Sequence, residues 1–473
     1  MQQLINSISY FILIYFFLLN ASYMILFFIA YFGILKYKKN LRMNDYMTVY
    51  HSKLTPPISL IVPAYNEEAT IITNLKAFLN EFDYPEYEVI VVNDGSVDKT
   101  LQLILDEFKC HPYDYPVRPL IKTSPIKNIY RSSLDKKLIV VDKINGKGKS
   151  DANNAGINVA RYPYFGCIDA DTILEPSSFL KLMVPIVNST ENIIAAGGIV
   201  GAINGCTIVN NRIVDVSFPT NYLAKYQVLE YLRSFLYGRY AWNLINAMPL
   251  ISGAFGLFKK DAVVKVGGYH SYINTEDEKG AIGEDIDLTL RLHRYHLENN
   301  IPYNILYVPD PLSWTQVPED FASLNGQRAR WHKGLTQSLI KNKDMFFNKK
   351  YKKLGVITLP YYFIFEFLAP IIEFYGYISF PILFFTKKID IKTFILFLLI
   401  VFGFGLLVSV FAVFLEVITF NRYKKGKDLF KLFFCAFTEN IGYKQLTLYF
   451  RIDGLIQYIF KNDSWGTMKR KAL

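Results

Sequence analysis

The chain has 473 residues and a net charge of +11, and 51% of its residues are hydrophobic. Its basic residues cluster after apolar stretches, a pattern typical of the cytosolic flanks of membrane spans, which argues against a nucleic-acid partner. The four cysteines have no short paired spacing, so they indicate neither a zinc site nor a disulfide framework. The soluble part is therefore expected in a reducing compartment.

The first predicted element is a transmembrane helix in residues 1–35, which carry no charged side chain. Residues 8–35 would form a helix of about 42 Å, longer than the ~30 Å hydrocarbon core, so we expect it to tilt or protrude. A secretory signal peptide is the alternative, but the apolar run is too long and no basic region precedes it. The linker 36–55 begins with a basic run and therefore predicts a cytosolic position for the domain that follows.

An α/β domain is predicted for residues 56–317. Short β-rich runs alternate there with helical stretches, and this alternation predicts a mostly parallel sheet covered by helices. The proline-rich segment 110–137 has the character of an insertion before the third strand, and no role is assigned to it. Ligands of such sheets bind beyond the carboxyl ends of the strands, so functional residues are expected there. The predicted strands are 58–62, 88–92, 138–141 and 164–168, and the predicted helices include 66–80, 97–109 and 151–160.

Acidic residues follow two of the predicted strands. Asp94 lies in an Asn-Asp-Gly-Ser turn, where its carboxylate could accept hydrogen bonds from a nucleobase imide or from ribose hydroxyls. The alternative is an ordinary turn residue or helix cap. Asp169 and Asp171 lie one residue apart in extended chain and project to the same side, as oxygen ligands of a diphosphate-bridging Mg²⁺ or Mn²⁺ ion would. The alternative for this pair is a solvated acidic loop.

A third acidic motif opens a predicted helix. Glu284 and Asp285 precede a helical pattern over 286–297. Either acid could be an N-terminal helix charge, which stabilises a helix by ~0.5 kcal/mol. A carboxylate at the mouth of the predicted crevice would also suit a general base.

A fourth motif lies in the predicted interfacial region 318–350. Gln327, Arg330 and Trp331 have the spacing i, i+3, i+4 and so share one helix face. That face offers an amide, a guanidinium for a leaving diphosphate and an indole for stacking. An amphipathic helix on the membrane surface is a second interpretation, and the two are compatible.

Residues 351–460 are predicted to hold the C-terminal transmembrane and interfacial helices. The stretches 354–386 and 391–420 have the length and composition of two spans joined by a short outer loop. Residues 429–460 carry several charges and could form one poor span, a re-entrant pair or an interfacial helix. The basic tail 461–473 predicts a cytosolic C-terminus.

Taken together and in this order, these motifs resemble membrane-bound family-two glycosyltransferases of the processive polysaccharide-synthase type. That group includes the poly-N-acetylglucosamine, chitin, hyaluronan and cellulose synthases. The resemblance covers about residues 55–345, and further segments match the family's nucleotide-binding and acceptor loops. They are Pro63-Ala64-Tyr65-Asn66-Glu67-Glu68, the segment 148–156 with Lys149, and Ser252-Gly253-Ala254-Phe255-Gly256.

The resemblance implies a GT-A (Rossmann-like) catalytic domain flanked by transmembrane helices, and an inverting single-displacement transfer. The residues it implies for nucleotide binding are Pro63, Tyr65, Glu67, Asp94, Lys149 and Asp169. The cofactor would be Mg²⁺ or Mn²⁺, held by Asp171 with Asp169. The catalytic pair would be Asp285, as the base, and Glu284. The residues implied for the acceptor and diphosphate sites are Gly253, Gln327, Arg330 and Trp331.

Two carboxylates in the membrane part add to this interpretation. Glu366 and Glu373 are seven residues apart in an otherwise apolar stretch, and an α-helix would place them on one face. Carboxylates inside a membrane normally face protein or a wet cavity, so they could line a path for a sugar polymer. An interfacial or re-entrant helix is the alternative.

The expected function is transfer of a sugar from a nucleotide-diphosphate donor, such as a UDP-sugar, to a growing β-linked polysaccharide. The expected location is the cytosolic face of the cell membrane, with membrane lipid and accessory export subunits as further partners. A single transfer to a lipid-linked acceptor is the first alternative. A non-catalytic export scaffold is the second, and the complete set of carboxylates argues against it.

Overall fold

The computed structural model describes residues 2–41, 46–209, 211–275 and 280–460. Contacts within the chain divide it into two units. The sheet unit comprises the described residues within 40–215 and 248–316, and the helical unit comprises the described residues within 2–39, 216–247 and 317–460. The predicted basic tail 461–473 lies outside the described residues.

The sheet unit contains all the strands of the described chain. They are β1 (Ile58–Ala64), β2 (Tyr87–Asn93), β3 (Cys110–Pro112), β4 (Ile126–Ser132), β5 (Leu138–Lys143), β6 (Tyr164–Ile168), β7 (Ile173–Leu174), β8 (Ile193–Ala202), β9 (Thr207–Val209), β10 (Arg212–Asp215), β11 (Phe255–Lys259) and β12 (Asn304–Thr315). The main sheet has the order β3-β4-β5-β2-β1-β6-β11-β8-β12-β7, and β9 pairs with β10 separately.

The α-helices are distributed over both units. They are α1 (Gln2–Leu41), α2 (Tyr46–His51), α3 (Ile71–Asn80), α4 (Thr100–Glu107), α5 (Lys149–Val159), α6 (Ser178–Val187), α7 (Tyr222–Tyr231), α8 (Arg239–Leu244), α9 (Lys260–Lys265), α10 (Glu284–Glu298), α11 (Phe321–Lys341), α12 (Leu359–Tyr362), α13 (Ala369–Phe385), α14 (Ile391–Leu398), α15 (Gly405–Thr419), α16 (Gly426–Thr438) and α17 (Tyr443–Ile459). Shorter π and 3-10 turns lie at Leu232–Gly238, Lys343–Met345, Lys349–Tyr351, Leu354–Thr358, Phe363–Phe367 and Leu399–Phe404.

The centre of the sheet consists of the parallel strands β5, β2, β1 and β6, which are the four predicted strands. β2 and β5 are buried along their whole length, as expected for apolar strands covered on both faces. Ala64 at the end of β1 lies opposite Asn93, and Asn93 lies opposite Asp142. The carboxyl ends of these strands therefore meet at one edge of the sheet, and the predicted α/β class is confirmed.

The sheet as a whole is mixed, so the prediction of a mostly parallel sheet is confirmed at its centre and for the parallel pair β8 and β12, and is wrong elsewhere. β11 runs antiparallel to both β6 and β8, and β4 runs antiparallel to β5. A short apolar run has the same pattern in either direction, so its periodicity does not reveal how it will pair. The direction is set by the place at which the chain re-enters the sheet.

The segment 110–137, which had no assigned role, forms an edge of the sheet through β3 and β4. Its middle part packs against α5. The Ile121 N–H donates to the Asn158 side chain at 3.0 Å, and the Ser124 hydroxyl donates to the Asp151 carboxylate at 2.8 Å. The segment therefore supports a helix that begins at the candidate site.

The helical unit contains three helical stretches, among the described residues, that are long and apolar enough to cross a membrane. They lie close to the predicted ranges, but π turns interrupt the second and third. Aromatic rings pack between them, with Phe16 edge-on to Tyr377 and Phe397 at 5.7 Å in each case. The three stretches are Gln2–Lys39, Leu354–Phe385 and Ile391–Thr419.

Hydrogen bonds at both ends of α1 define how these stretches run. The Gln2 amide donates to the Lys388 carbonyl oxygen at 2.7 Å, in the turn between the second and third stretches. The Lys38 ammonium donates to the carbonyl oxygens of Ile418 and Thr419, at 3.1 and 2.9 Å. The third stretch therefore runs parallel to α1, and the basic end of α1 lies beside the end of α15.

The structure narrows the predictions for residues 429–460 and for the two membrane carboxylates. Most of the residues 429–460 lie in two helices, α16 and α17, and the turn at 439–442 between them rules out a single continuous span. Glu366 lies in a π turn and Glu373 in α13, so the shared face inferred from α-helical spacing does not apply. Glu366 pairs with Arg451 at 3.2 Å.

Val216–Ala247 belongs to the helical unit, although the predicted domain 56–317 includes it. Its aromatic side chains are buried against α1. The Tyr237 ring lies edge-on to Phe27 at 6.0 Å, and the Tyr240 hydroxyl donates to the Gly33 carbonyl oxygen at 3.4 Å. Burial of these large rings explains why the segment leaves the sheet unit.

Candidate active site

The turn after β1 is tied to the turn after β2 at the edge of the sheet. Asn66 adopts a left-handed backbone with φ of 55°, and its side chain accepts the Val97 N–H at 2.9 Å. The Glu67 N–H donates to the Thr100 hydroxyl at 2.8 Å. These bonds occupy residues that were predicted to begin a helix, so α3 starts later. They leave Tyr65 half exposed at the edge where the parallel strands end.

Asp94 is almost completely buried directly after β2. Its N–H donates to the Ala64 carbonyl oxygen at 2.9 Å, next to Pro63, which lies partly buried in β1. Its carboxylate contacts the Lys143 ammonium and accepts the Gly146 N–H at 3.0 Å. These partners come from the last residue of β5 and from the loop that follows it, so the carboxylate has a defined orientation that a solvated turn residue would lack.

Asp169 and Asp171 follow β6, and both are partly buried. Desolvation, reinforced by the neighbouring Asp169 carboxylate, raises the pKa of Asp171 to about 7. A carboxyl group whose ionisation is opposed by burial and by a neighbouring carboxylate marks a site at which positive charge is stabilising. This electrostatic state does not fit the alternative of a solvated acidic loop.

Lys149, in the first turn of α5, joins two parts of the site. Its ammonium group contacts the Asp169 carboxylate and donates to the Gly253 carbonyl oxygen at 2.7 Å. Burial lowers the pKa of Lys149, but Asp169 and Glu284 more than offset that effect and raise it above its ordinary value. The side chain is therefore a fixed positive charge.

Glu284 and Asp285 lie in the first turn of α10, where the helix dipole favours negative charge. A Cβ atom on Gly253 would lie 3.0 Å from the Glu284 carboxylate and 3.9 Å from the Asp285 Cβ. One Asp285 carboxylate oxygen accepts the Ile286 N–H at 2.8 Å. The structure thus brings together Asp169, Lys149, Gly253, Glu284 and Asp285.

Two supporting acids were not identified from the sequence. Asp151 lies in the first turn of α5 and contacts Lys143 at 2.7 Å, so Lys143 bridges Asp94 and Asp151. Asp287 pairs with Arg291 at 2.8 Å and with His270 at 3.1 Å. The sequence did contain a signal for the pairing of Asp94 and Asp151 with Lys143. Lys143 is a charged residue at the end of the buried strand β5, where it needs a partner of opposite charge.

The pKa of Asp287 reflects its two partners. Burial alone would raise it, but Arg291 and then His270 lower it to about 2. Arg291 also donates to the carbonyl oxygens of Val266 and Gly268, at 2.7 and 2.8 Å. Asp287 therefore anchors the start of α10 to the loop after α9 as a permanent anion.

The remaining predicted residues lie in α11 of the helical unit. Gln327 is buried, Arg330 is partly buried and Trp331 is 44% exposed. Arg328, which was not predicted, contacts the Glu230 carboxylate, and its guanidinium lies 4.4 Å from the centre of the Trp331 ring. The predicted helix is present, and on it Arg328 has both an ion pair and a contact with an aromatic ring.

The fit of a divalent cation depends on Asp169 and Asp171. Within the described ranges, no group of three or more His, Cys, Asp or Glu side chains is arranged to hold a metal ion. Two carboxylates suit an ion that takes its remaining oxygens from a diphosphate and water, as Mg²⁺ commonly does. The raised pKa of Asp171 is consistent with this fit, because a cation would stabilise the ionised pair.

Comparisons with known proteins identify the family of this chain. The family model "Glycosyl transferase family 2" matches residues 59–263, which contain most of the sheet. The model "Glycosyl transferase family group 2" matches residues 164–415, which run from β6 into α15. The second match alone covers more than half of the chain.

Curated relatives include poly-β-1,6-N-acetyl-D-glucosamine synthases from Staphylococcus epidermidis and from Staphylococcus aureus strain COL. Each is 30% identical over 304 residues, which cover 64% of this chain and 60% of the relative. The chain thus spans about three fifths of the length of the curated relatives that it matches.

A solved mannosyltransferase from Pyrobaculum calidifontis, in complex with GDP-Man and Mn²⁺, has a similar fold. The match has a TM-score of 0.51 and 16% identity, and it covers 94% of this chain and 100% of that structure. It supports the predicted GT-A class with flanking apolar helices. With the family match from β6 into α15, these findings establish that the chain belongs to the family-two glycosyltransferases.

Proposed function

We propose that this chain transfers a sugar, with N-acetylglucosamine as the first candidate, from a nucleotide-diphosphate donor to a growing β-linked polysaccharide. The observation that carries the proposal is the position of Lys149, which contacts both Asp169 and the Gly253 carbonyl oxygen. One cation thereby joins the turn expected to hold the donor to the loop expected to hold the acceptor. The names of the staphylococcal relatives support this choice of sugar and polymer.

The donor would bind at the edge where the parallel strands end. We assign the nucleotide to the turns that carry Pro63, Tyr65, Glu67 and Asp94. One Asp94 carboxylate oxygen contacts Lys143 and Gly146, and we expect its other oxygen to accept a hydrogen bond from the nucleoside. Lys149 would lie beside the diphosphate, where its positive charge is favourable in a partly desolvated site.

The acceptor hydroxyl would approach between Gly253 and Asp285. The Asp285 carboxylate takes the hydroxyl proton while the acceptor oxygen bonds to the anomeric carbon of the donor sugar. The bond from that carbon to the diphosphate breaks with its electron pair, so a single displacement inverts the anomeric configuration. Glycine at 253 suits this approach, because a side chain there would meet Glu284. The contribution of these residues is positioning and electrostatic stabilisation.

Asp169 and Asp171 are the residues that would hold Mg²⁺ or Mn²⁺. The ion, when bound, would neutralise negative charge on the leaving diphosphate. Gln327, Arg330 and Trp331 are proposed to serve the diphosphate and acceptor sites. This assignment rests on the family resemblance and on the helix that carries all three.

We also propose that the chain crosses the cell membrane several times, with the sheet unit in the cytosol. The basic residues at the end of α1 support this orientation under the positive-inside rule. The bond from Lys38 to Thr419 supports a common side for the ends of the first and third stretches. Membrane lipid and export subunits would be the further partners.

Nucleotide release and product sizing test the proposal together. The purified, detergent-solubilised chain would be incubated with UDP-N-acetylglucosamine, other sugar nucleotides and either metal. We expect UDP release that requires the metal, and products that lengthen with time. Absence of release with every donor would refute a transferase, and a product with one added sugar would favour transfer to a lipid-linked acceptor.

A further inference from the structure

Asp285, Thr289 and His293 lie at intervals of four residues along α10 and therefore share one face of the helix. The first is the proposed base. The other two are buried and contact the loop 248–253, which ends at Gly253. One helix face thus connects the base with the proposed acceptor loop.

Thr289 makes two hydrogen bonds through one hydroxyl group. Its oxygen accepts the Ile251 N–H at 3.2 Å, and its O–H donates to the Asp285 carbonyl oxygen at 2.7 Å. Thr289 and Ile251 are both 0% exposed. A buried backbone N–H without a partner is costly, so this hydroxyl determines where residue 251 can lie.

His293 holds the beginning of the same loop. Its Nε2 lies 2.8 Å from the Met248 carbonyl oxygen, which can only accept, so Nε2 carries the proton. Nδ1 is then the acceptor for the Tyr303 hydroxyl at 2.6 Å. Burial lowers the pKa of His293 to about 4, which keeps the ring neutral and this tautomer in place near neutral pH.

The far end of the loop is held from another direction. Lys149 of α5 donates to the Gly253 carbonyl oxygen at 2.7 Å and also contacts Asp169. The loop is therefore fixed at 248 and 251 by α10, and at 253 by the lysine of the proposed donor site. The hydrogen bonds to α10 are made by Thr289 and His293, which have no other role in the proposed reaction.

We propose that Thr289 and His293 are positioning residues that set the separation between the loop 248–253 and the Asp285 carboxylate. This inference rests on the proposed function for its kinetic consequence. In this proposal Thr289 and His293 align the acceptor with the Asp285 carboxylate. Misplacement of a reacting group by about 1 Å can cost about a hundredfold in rate, so small shifts here matter.

The first test compares Thr289→Val, which has nearly the same shape without the hydroxyl, with Thr289→Ser, which retains it. Amide hydrogen exchange of the segment 248–253 is measured in the full, detergent-solubilised chain. We expect faster exchange in Thr289→Val and near-normal exchange in Thr289→Ser. Equal exchange in wild type and Thr289→Val would overturn the inference, whether or not the chain transfers sugars.

The second test measures kinetics with UDP-N-acetylglucosamine and UDP binding to the same variants. We expect kcat of Thr289→Val to fall about tenfold or more, with UDP affinity within about twofold of wild type and Thr289→Ser close to wild type. An equal loss in both variants, or a parallel loss of UDP affinity, would indicate general structural damage and overturn the inference. An inactive wild type would refute the proposed function and leave the exchange result as the test.

His293 provides an independent check through its partner. Tyr303→Phe removes the hydroxyl that orients the ring while leaving the bond from Nε2 to Met248 available. We expect faster exchange at 248–253 and a smaller fall in kcat than in Thr289→Val. No change in either measurement would remove His293 from the inference.

Discussion

Lys143 and Asp151 form an ion pair of 2.7 Å in which neither side chain is exposed to solvent. The same ammonium group contacts the buried carboxylate of Asp94. One positive charge therefore serves two carboxylates, on the turn after β2 and on the first turn of α5. Because burial of an uncompensated charge is costly, this lysine ties together two segments of the proposed nucleotide site.

Replacement of Lys143 by Met should destabilise the chain and weaken nucleotide binding. The change leaves Asp94 and Asp151 buried without their shared cation, at a cost of about 3–5 kcal/mol. Thermal unfolding and UDP titration would measure the two effects. The double variant Lys143→Met with Asp151→Asn removes one of the stranded charges and should unfold at a higher temperature than the single variant. An equal or lower unfolding temperature would contradict the shared-cation interpretation.

Asp285→Asn should abolish transfer while leaving UDP binding intact. The amide has nearly the same shape but cannot accept the proton of the acceptor hydroxyl, so kcat should fall by at least about a hundredfold. Glu284→Gln is the matched control on the neighbouring residue, and its kcat should fall less. Normal turnover by Asp285→Asn would show that the base lies elsewhere.

Asp171→Ala should remove the response of the reaction to added Mg²⁺ or Mn²⁺. The variant retains Asp169 and Lys149, so its loss should appear as a change in metal dependence as well as in rate. Initial rates over a metal titration would measure it, with Asp287→Asn as a control at an acid that is already paired with Arg291. A metal-response curve like that of wild type would rule out Asp171 as a ligand.

Arg328→Lys and Arg330→Lys should have different effects although the residues are neighbours on α11. Arg328 contacts Glu230 and lies over the Trp331 ring, so lysine there should cost about 1–3 kcal/mol of stability. Lysine at 330 should lower kcat by about tenfold, because it lacks the planar guanidinium. Unfolding curves would measure the effect of Arg328→Lys, and initial rates would measure the effect of Arg330→Lys. Unchanged stability of Arg328→Lys or an unchanged kcat of Arg330→Lys would contradict this prediction.

The contribution of His293 to the stability of the chain should fall as pH is lowered from about 7 to about 4. The pKa of His293 is lowered to about 4 by burial, so the unfolded state binds the proton first and stability rises with pH in this window. The shift corresponds to about 3 kcal/mol, present above the ordinary histidine pKa and lost as pH falls through that window. Melting temperatures between pH 7 and 4.5 would measure it. His293→Gln lacks this contribution, so the difference in melting temperature between wild type and His293→Gln should change as pH falls through the window.

The sequence predicted those parts of the candidate site that follow from strand order. Asp94 and Asp169 each come directly after a buried apolar strand, and parallel strands bring their carboxyl ends to one edge. The end of each apolar strand can be recognised from the local sequence, so the apolar pattern was sufficient to place both acids at that edge of the sheet. The roles of Asp171 and Asp285 remain predictions, because the structure describes their surroundings and no reaction.

The sequence by itself determined three features: the acidic residues in the turns after two of the strands, the α/β class and the presence of three apolar stretches. These follow from local composition and period, which the chain carries wherever it folds. Only the tertiary structure decided that Lys143 serves both Asp94 and Asp151, and that Thr289 contacts Ile251. Those partners are separated along the chain by segments whose paths depend on packing. A hydrogen bond between buried groups is specified by the position of both backbones, and no local pattern encodes that.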